Sequence, residues 1–144
     1  MNNRSTVDDN IQLYRQIWDQ ILNKGNLNLM DTHFAPDYAF KTATVSLTGI
    51  DEAKQYYGAI LRAFSDIEFV IEDAFGQGDK LVKRWVFGGN HTGEINGIPA
   101  TGKRISLVGV TLARMVNGKI VEERDYADDL GLLQQLGVIP QLGR

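Results

Sequence analysis

The chain contains no cysteine. That excludes a disulfide frame, a thiolate metal site and a cysteine nucleophile. Histidine is scarce as well. His33 and His91 are the only two, they lie far apart in sequence, and neither has a second histidine or a cysteine three or four residues away, so no metal site is expected. Basic charge is not in excess: 15 Lys and Arg stand against 18 Asp and Glu, a net charge of -3. Phosphate binding needs a basic face, so nucleic acid is not an expected partner. No apolar run approaches the length of a membrane span, and Met1-Asn-Asn-Arg-Ser5 lacks the apolar stretch of a secretion signal. The expectation is a cytoplasmic protein with no membrane partner. Neither a G-x-x-x-x-G-K-[ST] loop nor a G-x-S-x-G elbow occurs, so nucleotide cradling and serine-hydrolase chemistry have no support.

What remains is an ordinary globular composition, 43% hydrophobic and 23% charged over 144 residues. That size suits one domain, 1–144, with a substantial core. Thr6 and Asp9 have the spacing of a capping box. Ile11, Tyr14, Trp18, Ile21 and Leu22 then recur at helical period, predicting a long first helix that ends at Gly25. Leu27 to Phe34 reads as a short second helix stopped by Pro36, and Asp37 to Ala43 as extended chain. A third helix follows Gly49, with Ala53, Tyr57, Ile60 and Phe64 on one face.

The period then changes to two. Ile67, Phe69 and Ile71 alternate with Glu68, Val70 and Glu72. Strands are predicted there, at Lys80–His91, Ile105–Met115 and Ile120–Tyr126, with Asn117-Gly118 as a tight hairpin turn. Helices followed by an antiparallel meander give an α+β fold, not alternating βαβ. The expected architecture is a cone: a curved antiparallel sheet wrapped around the long N-terminal helix, enclosing an apolar pocket. Gly109, Thr111 and Ala113 share one face of the third strand, and such small residues should leave space toward the helices. Val108, Val110 and Leu112 share the other face. Bulky apolar side chains there call for a second layer, and a homodimer through the outer sheet face is expected.

The final strand ends in acids, Glu122, Glu123 and Asp125, with Asp128 and Asp129 beyond. A carboxylate beside an apolar pocket has its pKa raised by desolvation and can exchange protons near neutrality. Asp125 is the candidate acid/base, on one face with Val121 and Glu123 if the strand is regular. The competing reading is a solvated strand end beside Arg124. His91 could hold a carbonyl oxygen or orient the acid, or cap the loop after it. Trp18, Trp85, Tyr14 and Phe87 read as pocket lining or core. Arg84 lies mid-strand, where an unpaired charge would be costly. It could meet an inward acid or a substrate carboxylate, or face solvent or a second copy.

Four segments together carry a resemblance: Ala35-Pro-Asp-Tyr38, Gly89-Asn-His91-Thr-Gly93, Gly97-Ile-Pro99-Ala-Thr-Gly102-Lys103, and Asn117-Gly-Lys-Ile120 with Glu122-Glu-Arg-Asp125. They resemble the SnoaL-like polyketide (ester) cyclases, a family of the nuclear-transport-factor-2-like superfamily. The resemblance runs from the first helix to Gly137. It implies the cone fold and acid/base chemistry without a cofactor: intramolecular aldol closure of a small hydrophobic, polyketide-like carbonyl substrate. The family's catalytic aspartate falls on Asp125.

The departures concern the polar groups around that aspartate. A family histidine in the third strand falls on Thr111, a glutamine on Gly109, and an asparagine after the P-D-Y element on Phe40. The expected substrate-contact residues are His91, Thr111, Arg84, Trp85, Phe40 and Trp18. An isomerase, dehydratase, hydrolase or hydroxylase on the same fold, or a non-catalytic small-molecule-binding module, are the alternative readings.

Overall fold

A computed structural model describes residues 3–141. Helix α1 (Asn3–Trp18) runs into a π-helical turn, Asp19–Asn23. Its inward stripe is Tyr14, Ile17, Trp18, Ile21 and Leu22, all buried. Gly25, at φ 71°, turns the chain out of the helix. Thr6 lies inside α1 and does not cap it, because helical residues continue back to Asn3. Short α2 (Leu29–His33) gives way to extended backbone at Phe34, so the helix stops ahead of Pro36 by more than the proline alone requires. Then come β1 (Phe34–Lys41), β2 (Ser46–Thr48) and α3 (Ile50–Ala63).

The rest is the meander: β3 (Phe64–Gln77), β4 (Lys80–His91), β5 (Arg104–Val116) and β6 (Lys119–Ala127), closed by α4 (Asp129–Leu136). Asn117 and Gly118 both have positive φ, 53° and 74°, as the predicted two-residue hairpin turn requires.

One curved sheet holds all six strands in the order β2-β1-β6-β5-β4-β3. It is antiparallel except where β1 lies parallel to β6, pairing Phe40 with Glu123. The expected antiparallel meander is present in β3–β6, and the β1–β6 pair adds one parallel ladder to it. The crossover through α3 and the meander separates β1 from β6 far enough in sequence to permit a parallel pair. A bulge in β6 gives a correction. Arg114 faces Glu122 but Met115 faces Ile120, leaving Val121 unpaired. Ile120, not Val121, thus joins Glu123 on the buried face.

The helices cover the concave side of the sheet. Trp18 stacks edge-on to Phe34 and tilts against Tyr57, with ring centroids 5.9 and 4.9 Å apart. Asn23 ties the end of the first helix to β3. Its amide donates to Phe69 O and accepts from Phe69 N, at 2.9 and 2.7 Å. The space predicted over Gly109 is occupied by the Trp85 indole, since a Cβ at Gly109 would sit 2.4 Å from Trp85 Cζ2. The convex side is open: Val70, Val108, Leu112 and Tyr126 are all substantially exposed.

Candidate active site

Strand parity decides which side chains face the helices. On β4 the inward set is Leu81, Lys83, Trp85, Phe87, Gly89 and His91. On β5 it includes Thr111 and Ala113, and on β6 Glu123 and Asp125. Register then aligns Lys83 with Thr111 and Thr111 with Asp125, one row across three strands.

Asp125 is half-buried. Thr111 Oγ1 donates to Asp125 Oδ1 at 2.6 Å and accepts from Trp85 Nε1 at 2.9 Å. Burial pushes the Asp125 pKa up to about 6; the Lys83 charge and the Thr111 hydrogen bond oppose that rise, and Glu123 and Asp129 add to it. A carboxyl poised near 6 is mostly ionised at neutral pH and can both take and return a proton. The phenols of α3 feel its charge as well. Burial first, then Asp125, raises Tyr57 well above the usual phenol range and Tyr56 to about 12.

Beneath Asp125 lies a second polar cluster that the sequence reading did not assemble. Glu123 is only 1% exposed. Tyr14 and Tyr38 each donate a phenol hydrogen to one of its oxygens, Tyr38 at 2.8 Å. Lys83 Nζ lies 3.7 Å from Glu123 Oε2 and faces the rings of Trp18, Tyr14 and Phe69 at 4.2, 4.8 and 5.3 Å. Burial lowers the Lys83 pKa, while Glu123 and Asp125 act to raise it. The signal was present in β4: Lys83 has the same parity as Leu81, Trp85 and Phe87, so a regular strand must turn it inward.

A family model of SnoaL-like polyketide cyclases matches residues 11–136. The chain belongs to that family. Nogalonic acid methyl ester cyclase from Streptomyces nogalater, a relative of this SnoaL-like chain, is 34% identical over 119 residues, covering 80% of this chain and 88% of the relative. The aklanonic acid methyl ester cyclase AcmA from Streptomyces galilaeus is 30% identical over 121 residues, covering 84% and 74%. Among solved structures, TsrD from Streptomyces laurentii superposes with a TM-score of 0.83 at 27% identity, over 91% of this chain and 97% of TsrD.

In this SnoaL-like chain, Asp125, Thr111 and Trp85 meet in one hydrogen-bonded line. Thr111, standing where the resemblance puts a family histidine, is fully buried, and its hydroxyl is committed on both sides. Phe40 is buried against Tyr56 and Tyr57. Trp18 is core, and its Nε1 has no hydrogen-bond partner among the described residues. His91 is fully buried against Phe64. His91 Nδ1 lies 3.0 Å from Thr101 Oγ1 and 3.2 Å from Thr101 N, while Nε2 has no hydrogen-bond partner among the described residues. Arg84 is the exception. It lies on the outer face and pairs with Glu72 at 3.5 Å, so its expected place in the substrate-contact set is corrected by parity: one residue from Trp85 means the opposite side of the sheet.

The other acids separate cleanly. Asp128 caps α4 by accepting from Gly131 N at 2.9 Å, and Glu122 meets Arg114 on the outer face. Two open surface hollows lie at the β3–β4 and β5–β6 turns, beside Gly78 and Gly118, and neither is lined by Asp125.

Proposed function

We propose that this SnoaL-like protein is a cyclase that closes a ring in a small hydrophobic polyketide-like ester, using Asp125 as general base and then general acid without a cofactor. The named relatives act on nogalonic and aklanonic acid methyl esters, and esters of that class are the substrates to try first. The observation that carries the reading is Asp125 itself: half-buried, hydrogen-bonded to Thr111, and held near a pKa of about 6 by desolvation.

In the proposed reaction the Asp125 carboxylate removes a proton from the carbon beside a carbonyl. The C–H electron pair becomes the enolate. The enolate carbon attacks a second carbonyl carbon of the same molecule, forming a C–C bond and an alkoxide. Asp125, now protonated, returns its proton to that alkoxide. Atoms and charge balance within substrate and aspartate, and no co-reactant is consumed. Trp18 Nε1, a buried donor, and His91 Nε2, a buried ring nitrogen, have no partners among the described residues, a state that a polar group of a substrate would relieve.

The reading includes a homodimer through the convex face. Val70, Val86 and Val108 align across β3, β4 and β5, with Val82 beside Leu112 in the same layer. Such an apolar surface is more extensive than scattered surface residues, and a C2 partner would present the same patch.

The test is turnover of a polyketide methyl ester by Asp125→Asn. Loss of cyclisation with an unchanged circular dichroism spectrum supports the assignment. Undiminished turnover removes Asp125 from the mechanism.

A further inference from the structure

We propose that the buried Lys83–Glu123 ion pair is a positioning device for Asp125, and that its two charges, acting in opposite directions, govern the charge state of the proposed base. The inference deepens the acid/base reading and rests on it.

Geometry supplies the first argument. Lys83, Thr111 and Asp125 occupy one cross-strand row, and Glu123 lies two residues before Asp125 on the same inward face. Two inter-strand spacings of about 4.8 Å put the Lys83 and Asp125 backbones about 10 Å apart. The lysine side chain can close part of that gap. Charges at such a range interact strongly only where water is excluded, and Lys83 and Glu123 are 4% and 1% exposed.

Chemistry supplies the second. Desolvating both charges of a buried ion pair is expensive unless each is compensated. Here each charge has its own support. Both Glu123 oxygens accept a tyrosine hydroxyl, from Tyr14 and Tyr38. The Lys83 ammonium faces three aromatic rings besides its carboxylate partner. With Asp125 protonated, this buried cluster is neutral. With Asp125 ionised, it carries one negative charge, which Lys83 tolerates and Glu123 opposes. Among the described residues, the other groups that interact with Asp125 are Thr111 from β5, Tyr56 and Tyr57 from α3, Tyr14 from α1 and Asp129 from α4. None of these is cationic, so Lys83 is the positive charge that favours the carboxylate.

The test reads Asp125 directly, without substrate. Aspartate Cγ resonances of 13C-labelled protein are titrated in the wild type, Lys83→Met, Glu123→Gln and the double variant, with the Asp125 signal identified by its loss in Asp125→Asn. Lys83→Met should move the Asp125 midpoint up by about one pH unit, and Glu123→Gln should move it down by a similar amount. The double variant should return to within about half a unit of wild type. Purely structural roles would not give opposite signs. If both single variants leave the midpoint in place, or both move it the same way, the proposal fails. Should Lys83→Met not fold, Glu123→Gln carries the sign alone: a downward move supports the pair, and any other result overturns it. Undiminished turnover by Asp125→Asn together with midpoints that move as stated would refute the acid/base reading while leaving the electrostatic pair standing.

Discussion

The Thr111 hydroxyl donates to Asp125 Oδ1 at 2.6 Å, and Trp85 Nε1 fills the acceptor side of that same hydroxyl at 2.9 Å. A residue that looked like the loss of a polar partner is therefore the partner. With the indole on one lone pair, the hydroxyl hydrogen goes to Asp125, and that donation favours the ionised form.

Thr111→Val tests this directly. It removes a donor to the charged form, so the Asp125 pKa should rise above about 6, and the acid limb of the pH–rate profile should move to higher pH. It also leaves Trp85 Nε1 buried without its acceptor, at a cost of about 1–3 kcal/mol. A thermal melt alongside the pH profile separates the two effects.

Asp125 links function to stability with a definite sign. Its folded pKa is raised from 3.8 to about 6, so the folded state holds that proton more tightly than the unfolded chain. The folded state is accordingly favoured below pH 3.8, and that advantage is lost as pH rises through about 6. Asp125→Asn removes the buried charge. It should stabilise the protein at pH 8, by on the order of 1–3 kcal/mol, and leave stability at pH 3.5 nearly unchanged. Denaturant melts at the two pH values check it.

Gly109→Ala should disturb the site from outside it. The added Cβ would lie 2.4 Å from Trp85 Cζ2, and the indole must move. Overpacking of this kind costs about 1–3 kcal/mol. Because Trp85 holds Thr111, the Asp125 midpoint should shift as well. A melt and an Asp125 titration on one variant read both consequences.

On the convex face, Leu112→Glu should yield a monomer. Leu112 is 45% exposed, midway along β5, and in the proposed dimer a carboxylate there would be buried against its symmetry mate without a partner. Light scattering reports the mass, and an unchanged circular dichroism spectrum rules out unfolding.

Much of this arrangement is legible in the sequence, and the losses have physical causes. The strand predicted over Lys80–His91 is β4 to its observed ends, and strand parity puts Arg84 and Lys83 on opposite faces. Composition reasoning resists burying a lysine, so the inward cation was passed over while the outward one drew notice. The Glu123 site was hidden for a related reason. In a run of acids, nothing local marks the one that will receive hydroxyls from Tyr14, 109 positions away, and Tyr38, 85 positions away. Gly109 was read as space because a sequence records the missing side chain and not the neighbour that fills it. The parallel pairing of β1 with β6 is likewise non-local; neither strand's pattern names its partner.

The central claim is that Asp125 exchanges the substrate's α-proton. The most direct measurement is deuterium incorporation at the α-carbon of a polyketide methyl ester in D2O, with wild type and Asp125→Asn compared at pH 7.5. Wild type should catalyse exchange, and the variant should be slower by about 10²–10⁴-fold, the usual worth of a positioned general base. Equal exchange rates in a folded Asp125→Asn protein would contradict the account.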